Sequence, residues 1–207
     1  MSLCFYVVQK NDLKLGHYQN AGLTPTVYFC IMFPELNTPR FLLKQILADD
    51  QAFIFKGLSD PQVIPFYGVQ YSTFEATKAQ MEFYDELWAK RTGCWWKIID
   101  KETMQPAGAC GMNSYHAVHE KAEIGYWLLP EFWRKGIMQE VLPVMINYLF
   151  KNWKLHRLEA VIEAGNETSR ALSEKLGFTY EGILRESEIK QGKRISLLMY
   201  SLLSTDQ

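Results

Sequence analysis

An α/β domain built on a mixed sheet is the fold class the sequence predicts, and three observations predict it. Apolar residues switch repeatedly between the two-residue period of strands and the three-to-four-residue period of helices. From residue 41 the resulting order is strand, two helices, three strands, helix, strand, helix, two strands, which fits neither an all-helical nor an all-strand domain. The chain has 207 residues and is 48% hydrophobic, enough to bury one sizeable core, so one main domain is expected.

Residues 41–47 suit a strand and residues 49–58 a helix. Residues 73–91 form a longer helix, with Ser72 or Thr73 as N-cap and Glu75 near its start. Residues 95–100 and 107–115 read as a hairpin that turns near residues 101–106. Residues 121–129 form a further strand, ended by Pro130. A helix over about 136–152 follows from Met138, Val141, Leu142, Met145, Tyr148 and Leu149, which recur at three and four. Pro143 lies inside that pattern; it lacks an amide donor and should bend the helix unless the first turn starts later. Residues 157–162 are a strand, and residues 167–176 a helix closed by Gly177. Two last strands, residues 180–189 and 195–203, turn at Gln191-Gly192.

Residues 1–34 read as an extension without an assigned role, with candidate strands at residues 3–8 and 27–33. They are unusually apolar for a tail. They either precede a natural start at Met32, the reading favoured here, or add strands to a sheet edge or mediate a homodimer. The domain proper is residues 35–207.

Composition excludes several classes. Net charge is −1, so no global field draws the chain to nucleic acid or to an anionic membrane. No run of about 18 apolar residues predicts a membrane-spanning helix. The apolar start lacks a basic flank and a cleavage site, so a secretory signal is not expected. Cys4, Cys30, Cys94 and Cys110 show neither CxxC pairing nor zinc spacing, so free thiols in a reducing cytoplasmic setting and no metal are expected.

Two segments carry chemistry. In Trp127-Leu128-Leu129-Pro130-Glu131-Phe132-Trp133-Arg134-Lys135-Gly136-Ile137-Met138 a strand ends and a helix opens at a glycine behind two cations. Helix N-termini present unpaired N–H groups and partial positive charge, and Gly136 lets a ligand approach the backbone, so this turn is a candidate pyrophosphate cradle. An ordinary strand–helix turn with solvated cations explains one glycine equally well. There is no GxxxxGK[ST], which disfavours a P-loop NTPase. In the second segment, Asn166-Glu167-Thr168-Ser169, Asn166 follows a strand and opens a helix; alone it reads as an N-cap.

At this spacing the segments resemble the GNAT superfamily of N-acetyltransferases, in particular the branch of ribosomal-protein N-terminal acetyltransferases that includes RimJ and RimL. The resemblance spans residues 36–203. It is carried by Ala122-Glu123-Ile124-Gly125-Tyr126-Trp127-Leu128, by Lys135-Gly136-Ile137-Met138, and by Asn166-x-x-Ser169 with Glu174-Lys175-x-Gly177-Phe178; Tyr180 and Glu181-Gly182 fit the strand that follows. It implies a mostly antiparallel mixed sheet with one splayed parallel pair, residues 121–129 and 157–162. It implies acetyl-CoA as cosubstrate, with pantetheine bonded to backbone near Trp127, Leu128 and Leu129. The diphosphate would lie on the amides of Arg134, Lys135, Gly136, Ile137 and Met138, and Asn166 and Ser169 would face the thioester arm. Trp133 and Arg134 replace a usual Gln or Arg and a frequent glycine. Ser173 stands where other branches carry a tyrosine before the Gly-Phe pair, and Ser196 where an aspartate is common.

Acetyl transfer needs a neutral amine, an oxyanion donor and a proton for the leaving thiolate. Glu123 is the first candidate base, by likeness to the Ala-Glu-Ile of GNAT histone acetyltransferases; the competing reading is an exposed strand carboxylate. Glu163, His116 and His119 are fallbacks, and Ser169 or water the acid. The expected acceptor is a primary amine, with a protein N-terminus as first choice and a polyamine or aminoglycoside as second. A non-catalytic acetyl-CoA-binding module is the competing class. Phe66, Tyr67, Tyr71, Phe74, Trp88, Asp85 and Glu86 are expected on the acceptor side.

Overall fold

The computed structural model describes residues 32–206, and residues 34–206 fall within one compact unit. The strands expected at residues 3–8 and 27–33 lie outside the described residues, save the last two positions of the second, which are not strand.

Eight strands form one sheet: β1 (Leu36–Asn37), β2 (Phe41–Gln45), β3 (Cys94–Asp100), β4 (Pro106–His116), β5 (Lys121–Leu128), β6 (Arg157–Glu163), β7 (Thr179–Lys190) and β8 (Lys193–Leu203). The spatial order is β1-β2-β3-β4-β5-β6-β8-β7. Every neighbouring pair is antiparallel except β5 and β6, which are parallel. The helices are α1 (Gln51–Leu58), α2 (Lys78–Ala89), α3 (Ile137–Trp153) and α4 (Glu167–Lys175). None among the described residues is long and apolar enough to cross a membrane.

The expected elements are present, with shifts at their ends. The helix expected over residues 73–91 begins as a 3-10 turn, Glu75–Thr77, whose N-cap position is Phe74 rather than Ser72 or Thr73, although Thr73 Oγ1 accepts from Ala76 N–H at 3.2 Å; α2 proper follows. The two-residue strand β1 has too short a pattern to read from sequence. α3 starts ahead of Pro143 and runs on past it, so the proline does not mark a later first turn. Gln191 (φ 50°) and Gly192 (φ 76°) both adopt the left-handed conformation a two-residue hairpin turn requires.

Two faces of the sheet are covered. On one, Trp95, Ala109 and Trp127 pack with Ile54, Leu58, Met81, Tyr84 and Leu87 of α1 and α2. Trp95 lies flat over β4 and β5: a Cβ on Gly111 or Gly125 would come within 2.5–2.8 Å of its ring or backbone, so both positions need glycine. On the other face Trp96 meets Tyr148 of α3 edge-on at 5.7 Å. This face buries Ile137, Met138, Val141, Leu142, Met145 and Leu149, the stripe read from the sequence plus the first turn.

Candidate active site

β5 and β6 form a fork. Their parallel register holds for three pairs only, Lys121↔Arg157, Ala122↔Leu158 and Glu123↔Glu159. Beyond these, β5 stays with β4 as far as Gly108↔Leu128, and β6 stays with β8 as far as Glu163↔Leu197, so the two strands part. Which backbone groups face the gap follows from the ladder. Leu129 N–H donates to Ala107 C=O at 2.9 Å, and the register makes Trp127↔Ala109 the next pair of the same kind. Bonding alternates along an antiparallel ladder, so Trp127 is committed to β4 while Tyr126 and Leu128 turn their N–H and C=O into the gap. The Leu129 carbonyl is also taken, by Phe132 N–H at 2.9 Å. Of the expected Trp127, Leu128 and Leu129, only Leu128 turns its backbone toward the gap, and Tyr126 joins it. The Trp127 side chain lies in the core beneath α1, stacked on Phe53 at 5.2 Å.

At the open end of the fork the chain turns into α3. Arg134 (φ 60°) and Gly136 (φ 71°) are both left-handed and flank Lys135, so successive N–H groups form a concave nest. Among the described residues, the N–H groups of Arg134, Lys135, Gly136, Ile137, Met138 and Gln139 make no hydrogen bond; the first helical bond is Glu140 N–H to Gly136 C=O. Ile137 and Met138 bury their side chains beneath while Arg134, Lys135 and Gly136 are exposed. A Cβ on Gly136 would meet only the Arg40 guanidinium, at 3.9 Å. Unpaired amides at a helix N-terminus, with two exposed cations beside them, can hold a diphosphate. Trp133 donates from Nε1 to the Leu128 carbonyl at 2.8 Å, so this departure from the family pattern touches the gap-facing backbone.

α4 covers the fork from the α3 side. Asn166 caps it, its Oδ1 accepting from Ser169 N–H at 3.2 Å, so the capping role is realised. Sequence reasoning missed Tyr126. Burial raises its phenol above the ordinary range, and the neighbouring Ser169 and Ser173 hydroxyls only partly offset this. It thus brings a protonated hydroxyl from β5 toward Ser173, where other branches carry a tyrosine on the helix. The signal was present in Gly125-Tyr126-Trp127, but which alternate residue faces α4 depends on strand register.

Glu123 occupies the last paired position before the fork opens, on the Trp127 face of β5. It is half-buried and has no hydrogen bond or ion pair among the described residues. Burial, then the negative charges of Glu159 and Glu188, push its carboxyl above the usual range. Its cross-strand neighbour Glu159 behaves oppositely. Burial alone would raise it, but Arg157 at 2.8 Å and Lys121 at 3.1 Å hold it ionised. The fallback bases fare worse. Glu163 is bound to Lys190 at 2.7 Å. His116 and His119 stack on each other at 4.2 Å, exposed in the turn before β5.

Of the expected acceptor-side residues, Tyr67 and Tyr71 pack against the cluster under α1 and α2, and the Tyr71 hydroxyl donates to Gln80 at 3.1 Å. Trp88 instead packs on Arg91 and Trp153, and Glu86 pairs with Lys90. Among the described residues no group of His, Cys, Asp and Glu could hold a metal ion.

The sequence matches the acetyltransferase (GNAT) domain over residues 40–179. It is 33% identical over 173 residues to the uncharacterized N-acetyltransferase YoaA of Bacillus subtilis (strain 168), covering 83% of this chain and 98% of that protein. The fold is shared with the ribosomal-protein-S5-alanine acetyltransferase of Vibrio fischeri (TM-score 0.75, 22% identity, 84% and 98% of the two chains). It is shared too with the spermidine N-acetyltransferase of Vibrio cholerae, solved with CoA and spermine (TM-score 0.72, 19% identity, 81% and 97%). By a family match across the sheet and the fork, and a relative aligned over most of both chains, this protein belongs to the acetyltransferase (GNAT) domain family, whose members transfer acetyl groups.

Proposed function

We propose that this enzyme moves the acetyl group of acetyl-CoA directly to an α-amino group at a protein N-terminus, with Glu123 as general base. The observation that carries the reading is the layout of the fork: an unpaired, half-buried carboxylate at its closed end and a nest of free amides at its open end. Five residues of strand separate Glu123 from Leu128, roughly 17 Å at ~3.4 Å per residue, a span suited to an extended pantetheine arm. The diphosphate rests on the N–H groups of Arg134, Lys135, Gly136, Ile137 and Met138, and the arm bonds to the Tyr126 backbone and the Leu128 N–H, the Leu128 carbonyl being held by Trp133. Glu123 takes a proton as the amine nitrogen attacks the thioester carbon. The C–S bond then breaks, and the thiolate takes a proton from the hydroxyl pair of Ser169 and Tyr126. A thiol pKa near 8.5 makes a weak acid sufficient. Asn166 holds the start of α4, and so Ser169, in place.

The acceptor choice rests on proton affinity together with the likeness in fold to a ribosomal-protein acetyltransferase. At pH 7 roughly one α-amino group in ten is neutral, against fewer than about one alkyl amine in a thousand. A single carboxylate base suits the former. The alternative is a small polyamine. Rates of thiol release with N-terminally free peptides, with the same peptides blocked at the N-terminus but carrying lysine, and with spermidine separate the two. The proposal expects the free peptides to be the best acceptors; a preference for spermidine or for blocked lysine peptides overturns it. Binding of acetyl-CoA without thiol release for any acceptor would indicate a non-catalytic module.

A further inference from the structure

Arg40 lies in the turn between β1 and β2, far in sequence from α3, yet it meets the start of that helix at several points. Its guanidinium donates from both Nη1 and Nη2 to the Lys135 carbonyl at 3.2 Å, and from Nε to Glu140 Oε2 at 2.6 Å. Its backbone N–H donates to Glu140 Oε1 at 2.8 Å, where Thr38 Oγ1 also donates at 2.7 Å. Burial alone would raise the Glu140 carboxyl, but these bonds outweigh it and hold the group ionised.

We infer that Arg40 is a positioning residue for the cofactor: it fixes the Lys135–Gly136 peptide so that the Gly136 N–H faces the diphosphate, and it neutralises Glu140. This rests on the reading of residues 134–138 as the diphosphate cradle. The stereochemistry is direct. In a trans peptide the N–H of one residue points opposite to the C=O before it. Clamping the Lys135 carbonyl therefore aims the Gly136 N–H away from Arg40. Without the clamp, a peptide next to glycine can rotate readily, because glycine accepts conformations on both sides of φ = 0. Charge acts separately from this geometry. Glu140 sits in the first turn of α3, where an unneutralised carboxylate would repel a bound diphosphate. Nothing in the sequence joins two residues 100 positions apart.

Calorimetry with CoA and steady-state kinetics on Arg40→Gln, Arg40→Lys, Glu140→Gln and the Arg40→Gln/Glu140→Gln double variant test this. Arg40→Gln should weaken CoA binding by roughly ten- to hundredfold, the loss of a charge-assisted contact, with kcat at saturating acetyl-CoA within about twofold of the parent. Glu140→Gln should weaken it less than about threefold, and the double variant should recover part of the Arg40→Gln loss. Arg40→Lys keeps the charge but not the forked contact, so it should fall between parent and Arg40→Gln. Unchanged CoA affinity in a folded Arg40→Gln variant overturns the inference. So does a Glu140→Gln loss as large as that of Arg40→Gln, which would make the pair a structural brace only. The cradle fails separately: Gly136→Asp would then bind CoA normally.

Discussion

Replacing Gly136 with aspartate puts a carboxylate beside the free amides of residues 134–139. The backbone there is left-handed (φ 71°, ψ 14°), a conformation aspartate tolerates better than most residues. The new Cβ meets nothing closer than the Arg40 guanidinium at 3.9 Å. The strain of about 1 kcal/mol is largely offset by a negative charge at a helix N-terminus, worth ~0.3–1 kcal/mol. Stability should thus change little, with the melting temperature within about 4 °C of the parent. Cofactor binding should change much more. One carboxylate about 5 Å from a diphosphate of about two charges, at an effective dielectric of roughly 40–80, costs ~2–3 kcal/mol. That corresponds to about thirty- to 150-fold weaker acetyl-CoA binding in calorimetry. Gly136→Asn, neutral and equally tolerant of the backbone, should stay within a few-fold of the parent, and the Asp effect should shrink in high salt. Equal affinities for the Asp and Asn variants, or no loss in either, would refute the placement of the diphosphate.

Further expectations concern the closed end of the fork, α4 and the N-terminus. Glu123→Gln should keep acetyl-CoA affinity while kcat falls about 10²–10⁴-fold; a loss below about fivefold would move the role to water. The base must be ionised and its pKa is raised, so the acid limb of the rate profile should lie above the usual carboxylate range. Glu159→Gln, which removes one raising charge, should move that limb to lower pH. Asn166→Ala should lower the melting temperature by the loss of a cap worth about 1 kcal/mol, whereas Ser169→Ala and Tyr126→Phe should lower kcat with stability near the parent's. If all three lower only stability, the hydroxyl pair has no part in the chemistry. A chain beginning at Met32 keeps Pro34, whose carbonyl accepts from Trp96 Nε1 at 2.7 Å, and should fold and bind acetyl-CoA as the full chain does. Aggregation of that chain would place residues 1–31 in a core or an interface.

What the sequence disclosed and what it hid follow from distance along the chain. The α3 stripe, the Gln191-Gly192 turn and the Gly136 helix start are local patterns, and each is where its pattern put it. The fork is not local: it exists because β5 follows β4 and β6 follows β8 after three shared pairs, and no single segment encodes that parting. The same dependence on register decides that Tyr126 and Leu128, rather than Trp127 and Leu129, turn their backbone into the gap. Glu163 resembled a free base in the sequence and proved to be the partner of Lys190, since ion pairs between β6 and a hairpin tip leave no trace in spacing. Arg40 and Glu140 were invisible for the same reason.

Hydrogen exchange of individual backbone amides, measured by NMR with and without CoA, shows whether the cofactor lies in the fork between β5 and β6. The Tyr126 and Leu128 amides face the gap and should exchange fast in the free protein, while those of Trp127 and Leu129, bonded to β4, should already be slow. Adding CoA should slow Tyr126, Leu128 and residues 134–138 together and leave Trp127 and Leu129 nearly unchanged. Protection that appears elsewhere, with the fork and the turn into α3 still exchanging freely, would contradict that placement.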